Sequence, residues 1–164
     1  MTDRRAPTPS QTVGPFFGFA LPFAGDADAG VGAVVRIEGQ VFDGASATVP
    51  DAILEMWHGD VFVRCATDAS GRYRVTLPKP PAMPGPDGRT QAPHLEVSVF
   101  SRGLLRHLAT RIYFPDEEDA NAADPMLALV DPARRTTLVA RRDGAGLRFD
   151  IRLQGAAETV FFAL

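Results

Sequence analysis

The side chains best suited to hold a metal or move a proton are three histidines, His58, His94 and His107. His94 and Glu96 stand two residues apart in HLEVSVF, so on a strand both leave the same face. A His-x-acid pair with a third histidine is the donor set of a ferrous-iron facial triad, and His107 could complete it. The same pair is also what the polar face of any alternating strand looks like, and the interval from Glu96 to His107 is short for that class of site. Other templates fail. There is no GxSxG, no glycine-rich phosphate loop and no paired cysteine. Cys65 is the one cysteine, so no internal disulfide can form, and a thiol in such a stretch reads as core filling. The acidic run 116–119 reads as a solvated helix start, and Trp57 either stacks on an aromatic ligand or fills a core. Chemistry alone names no reaction.

The elements that would carry these residues have a period of two. VVRIEGQVF (34–42), RYRVTL (72–77), HLEVSVF (94–100) and LRFDIRL (147–153) alternate apolar with polar residues, as half-buried strands do. AILEMW (52–57), LATRIYF (108–114) and TTLVARR (136–142) read as further strands. Asp43-Gly44, Ser70-Gly71 and Gly144-Ala145-Gly146 mark reversals. The stretch 77–93 holds six prolines and must be a long loop. One short helix is expected, DEEDANAA (116–123), its acidic first turn set against the positive end of the helix dipole. Many short strands between turns predict an all-β fold, a β-sandwich of mixed topology. The expected organisation is an irregular N-terminal arm over 1–33 and a sandwich domain over 34–164. The arm is rich in proline yet carries Phe16, Phe17, Phe19 and Phe23, more aromatic surface than a solvated tail keeps, so it should bury its rings on its own core or on another chain.

Composition bounds the function. Of the 164 residues, 45% are hydrophobic and 23% charged, the balance of a globular protein. A net charge of -3 gives a nucleic-acid partner no support. No apolar run approaches the roughly 18 residues of a membrane span. Arg4-Arg5 is followed by prolines rather than an apolar export segment, so the cytoplasm is the expected compartment.

Seven segments resemble the intradiol ring-cleavage dioxygenases: TPSQTVGPFF (8–17), GQVFDG (39–44), LEMWHGD (54–60), APHLEVSVFSRG (92–103), TRIYFPDE (110–117), RRTTLVARR (134–142) and RFDIRLQGAAETVFF (148–162). The likeness is to the α-type chains of the family's heteromeric members, and it implies the same mixed sandwich. In those enzymes only the homologous β-type chain holds ferric iron, through two tyrosines and a His-x-His pair. Here that pair reads His94-Leu95-Glu96, and the loop 78–93, where a ligand tyrosine would fall, contains none. The resemblance therefore implies no metal ligand and no catalytic residue in this chain. The iron would belong to a β-type partner in a higher hetero-oligomer, which uses O2 to open the ring of a small aromatic acid, protocatechuate. The same resemblance assigns Thr12, Gly14, Pro15 and Arg102 to the wall of the partner's substrate pocket. Gly14 would let backbone lie against a flat ring, Pro15 would fix the chain direction, Thr12 would offer a hydroxyl, and Arg102 would attract the anionic substrate. Two other readings stand beside this one: an independent ferrous-iron oxygenase built on His94, Glu96 and His107, and a sandwich module that binds an aromatic acid without chemistry.

Overall fold

The computed structural model describes residues 6–14 and 16–163. Its strands are β1 (Val34–Phe42), β2 (Ile53–His58), β3 (Val61–Ala66), β4 (Arg72–Pro78), β5 (Met83–Pro84), β6 (Thr90–Gln91), β7 (His94–Phe100), β8 (Leu108–Tyr113), β9 (Arg141–Asp143), β10 (Gly146–Arg148) and β11 (Ile151–Arg152). The helices are α1 (Phe17–Ala20) and α2 (Glu118–Ala123). One sheet is centred on β1, which pairs antiparallel with β4 and parallel with β10 and then β11, while β9 closes a hairpin on β10. The other sheet has the order β3-β2-β7-β8, all antiparallel. The expected sandwich of mixed topology is the observed one.

Period-two alternation builds the core between the sheets. Ile37, Val41, Tyr73, Val75 and Leu77 point inward from the first sheet, and Leu54, Met56, Val63, Leu95, Val97, Val99 and Ile112 from the second. Cys65 sits in the same core, where burial pushes its thiol up to about 12, the state of an inert space-filler. A second, smaller core of Ala92, Tyr113, Leu127, Val130 and Leu138 lies on the outer side of the second sheet. There the chain's last residues return: Thr110 donates its hydroxyl to the Val160 carbonyl, and Phe162 pairs with Ala109. That cover makes β7 a strand buried on both faces along most of its length, not the half-buried strand its alternation suggests.

Three elements depart from expectation. The stretch 147–153 is two short strands, because the Phe149 carbonyl accepts the Tyr73 hydroxyl while the Asp150 carboxylate takes the Gln40 N–H that a ladder carbonyl would otherwise take. TTLVARR is a 3-10 turn over Arg135–Leu138 followed by β9; the Thr137 hydroxyl donates to the Arg134 carbonyl, a local bond that competes with extension. VFVRCA, unassigned above, is β3, joined to β2 by the two-residue turn Gly59-Asp60, with Gly59 at φ +56°.

The arm is not wholly irregular, nor is α2 the only helix, since FGFA forms the single turn α1. Near its end the arm is stitched to both sheets. The Arg64 N–H of β3 donates to the Asp26 carbonyl, and Thr76 of β4 exchanges bonds with Ala27 and Ala29. Upstream, Phe16, Phe19 and Phe23 stay 68%, 72% and 71% exposed on the chain by itself, which leaves them available to another surface.

Candidate functional site

Strand β7 places His94 and Glu96 on the outer face of the second sheet, facing loop 83–91. There Trp57, His58, Met83, Gln91, Glu96 and Arg111 line a cavity of about 420 Å³. His94 is 1% exposed and donates from Nδ1 to the Ala92 carbonyl at 2.7 Å. Its Nε2 faces Glu96 Oε1 at 3.3 Å, and the same oxygen takes Arg111 Nη2 at 2.6 Å. Arg111 Nη1 reaches Gln91 Oε1 and the Tyr113 hydroxyl, Tyr113 donates to Asp124 Oδ1, and Asp124 Oδ2 accepts the Ala92 N–H. The circuit thus closes where it began, at Ala92. Sequence reading missed Arg111, Tyr113 and Asp124. A signal existed, because β7 and β8 place Glu96 directly opposite Arg111, a cross-strand pair of opposite charge.

The electrostatics follow from this circuit. Burial opposes ionisation of Glu96, but the hydrogen bond to His94 and the Arg111 charge outweigh it, and the carboxyl titrates below its ordinary 4.5. Burial, then the neighbouring His94, lowers His58. Burial pushes the phenols of Tyr73 and Tyr113 far up, so neither is a phenolate near neutral pH. Because the Glu96 carboxyl is depressed on folding, its contribution is full above about pH 4.5 and is lost as pH falls below that value. Glu96→Gln should therefore lower stability near pH 7 by about 1–2 kcal/mol, a figure discounted for the part of the carboxylate that solvent reaches. The gap from the parent should narrow progressively as pH falls below about 4.5, as read from denaturant unfolding at pH 7 and at a series of acidic pH values.

This arrangement does not suit iron. His94 spends both ring nitrogens on the circuit, and Glu96 is neutralised by a guanidinium rather than left open to a cation. Both tyrosine hydroxyls donate to protein oxygens. His107 stacks on Phe100 with ring centroids 5.3 Å apart, at the far end of β7. The strand separates it from His94 by about 20 Å, so the facial triad that the spacing allowed does not assemble. Among the described residues, no group of three or more His, Cys, Asp or Glu side chains gathers as a metal site would require.

Of the residues assigned to a pocket wall, those the structure describes lie elsewhere, around the connection from β7 to β8. Thr12 Oγ1 accepts the Gly103 N–H at 2.9 Å, and Arg106 reaches Ser10 at 3.4 Å. Arg102, mostly exposed, is paired with Asp51. Gly14 is exposed, and a Cβ placed on it meets nothing within 4 Å. Thr12, Gly14 and Arg102 are thus on one surface, while Pro15 lies outside the described residues. Beneath the arm, Val13, Phe100, Leu104, Leu105, Leu108 and Phe162 line a groove of about 650 Å³.

No family model matches the chain. The protocatechuate 3,4-dioxygenase alpha chain of Burkholderia cepacia is 40% identical over an alignment of 193 positions including gaps, covering 94% of this chain and 96% of that one. This chain belongs to the protocatechuate 3,4-dioxygenase alpha-chain family. The beta chain from the same organism is also similar, at 29% identity over 160 residues, 79% of this chain and 68% of that one. Among solved structures, the dioxygenase domain of a dioxygenase–carbohydrate-binding fusion from Streptomyces sp. SirexAA-E superposes with a TM-score of 0.61 at 26% identity, covering 92% of this chain and all of that domain. Membership in the alpha-chain family gives the closed circuit around His94 its context: an intradiol sandwich with polar groups satisfied by one another where the resemblance would place iron ligands. No helix among the described residues is long and apolar enough to cross a membrane.

Proposed function

We propose that this chain is the alpha subunit of a protocatechuate 3,4-dioxygenase. In that reading it holds no iron itself and forms part of the substrate pocket of a homologous, iron-binding beta subunit. The enzyme inserts both atoms of O2 into protocatechuate between its hydroxyl-bearing carbons, giving 3-carboxy-cis,cis-muconate. The observation that carries this reading is the engagement of Glu96 by Arg111 at the position where a beta-type chain places its second histidine. Ferric iron and its chemistry then belong to the partner, and no step is routed through residues of this chain.

What this chain supplies is shape and charge. Gly14 presents backbone without a side chain, on the same patch as Arg102, whose charge favours a carboxylate-bearing substrate. The exposed Phe16, Phe19 and Phe23 suit a large apolar interface. A single buried thiol and the family's aromatic-acid substrate support a cytoplasmic enzyme.

Expressed alone, the chain should carry no iron after exposure to ferrous and ferric salts, and it should aggregate. Co-expressed with a beta-type chain it should yield a stable complex in which bound iron rises with beta content. Metal analysis and size-exclusion chromatography check both statements. One tightly held iron per isolated alpha chain would overturn the reading.

A further inference from the structure

The cavity beside His94 offers a charged ligand little, because Gln91, His94, Glu96 and Arg111 in its lining are already bonded within the chain, and the one buried side-chain atom without a partner among the described residues, Asn121 Oδ1, is not part of its lining. The patch around Arg102 carries more. We propose that Thr12 is a positioning residue, whose hydroxyl joins the arm to the Arg102 loop so that both reach the partner's substrate as one unit. This deepens the proposed function and rests on it.

The connection from β7 to β8 is held from two sides. On one side Asp51, in the link between β1 and β2, pairs with the Arg102 guanidinium and limits where that charge can point. On the other side the very next residue, Gly103, sits at φ +85° and gives its N–H to Thr12 Oγ1. A second, longer contact, from Arg106 to Ser10 at 3.4 Å, adds another tie between the arm and the same loop. Gly14 is two residues beyond Thr12, so backbone geometry keeps it within about 7 Å of the pinned position. The acceptor side of the Thr12 hydroxyl is thus already used inside the chain. Its worth to the site lies in fixing Gly14 and Arg102 relative to each other, a pre-organisation that the arm, with one helical turn of its own, cannot supply alone.

The test uses the co-expressed alpha–beta complex carrying Thr12→Val, Thr12→Ser, Arg102→Ala, Gly14→Val, and the double variant Thr12→Val with Arg102→Ala. Two readouts are taken, amide hydrogen exchange over residues 101–107 and steady-state kinetics with protocatechuate. Thr12→Val should speed exchange at Gly103 about tenfold and raise KM several-fold with kcat little changed, whereas Thr12→Ser, which keeps the hydroxyl, should retain the exchange protection. In the double variant the effect of Arg102→Ala on KM should shrink, because the loop is already loose; contact of this kind gives non-additive changes. Unchanged exchange in Thr12→Val, or effects that simply multiply, overturns the positioning role while Gly14→Val still impairs turnover. If instead Gly14→Val and Arg102→Ala both match the parent, the arm and the loop have no share in the substrate pocket, and this inference falls with that part of the proposed function.

Discussion

Gly14→Val in the assembled enzyme should lower kcat/KM for protocatechuate on the order of 100-fold, about 2.7 kcal/mol of transition-state stabilisation. The chain itself gives no reason for a loss. Gly14 is exposed, lies outside the left-handed region, and has open space where a Cβ would stand. A branched side chain there disturbs nothing in this subunit, so iron content, assembly and the melting transition should match the parent. A large kinetic defect with all three unchanged localises the harm to something brought against Gly14 by the partner. Arg102→Ala should be milder and its effect should fade as salt rises, since screening already weakens steering of an anion. Steady-state kinetics at low and high ionic strength, with iron measured first, checks both. If neither variant differs from the parent at limiting substrate, the arm and the loop are scaffold only.

Gly39→Ala should be the most damaging small substitution to the fold. A Cβ at Gly39 would stand 1.8 Å from the Phe149 carbonyl oxygen and 2.8 Å from the Tyr73 ring. Both neighbours are fixed, because Phe149 donates its N–H to the Glu38 carbonyl and accepts the Tyr73 hydroxyl. Relief requires β1 to separate from the point where β10 gives way to β11, and with it the only register those strands have. The cost should be about 3 kcal/mol or more, comparable to overpacking a rigid core. That is a fall of roughly 10 °C in the melting temperature of the complex, or loss of soluble protein. Gly18→Ala, with nothing within 4 Å of the added carbon, is the matching control.

Gly39 also shows where the sequence stops being legible. Its place in GQVFDG suggested only a strand residue; the close approach depends on Phe149, which is distant along the chain and meets it through the fold. Alternation located β1, β4 and β7, and apolar, β-prone segments located β2 and β8. It misread 147–153 and 136–142, where Asp150 and Thr137 satisfy backbone groups with side-chain atoms, a choice invisible to hydrophobic period. The candidate site divides the same way. His94 and Glu96 were visible as a pair, and the resemblance implied that this chain contributes no iron ligand. What already engages them, Arg111 across the strand pair with Tyr113 and Asp124 behind it, needed the register of β7 on β8. Thr12 and Arg102 were named as neighbours of a substrate, but that Gly103 and Asp51 hold them could not be read from residues 91 and 51 positions apart.

The stitching of the arm to both sheets sets an order of events in biogenesis. Asp26 and Ala27 find their partners on β3 and β4, which belong to opposite layers and stand together only when the sandwich has closed. The arm should therefore be among the last segments to settle, although it precedes both strands in the chain. Until then the segment that carries Phe16, Phe19 and Phe23 lacks its downstream anchor and should present no fixed pattern to another chain. If the arm docks on a beta-type chain as proposed, subunit recognition would double as a test of folding, because an alpha chain with an unclosed sandwich could not display its arm in register.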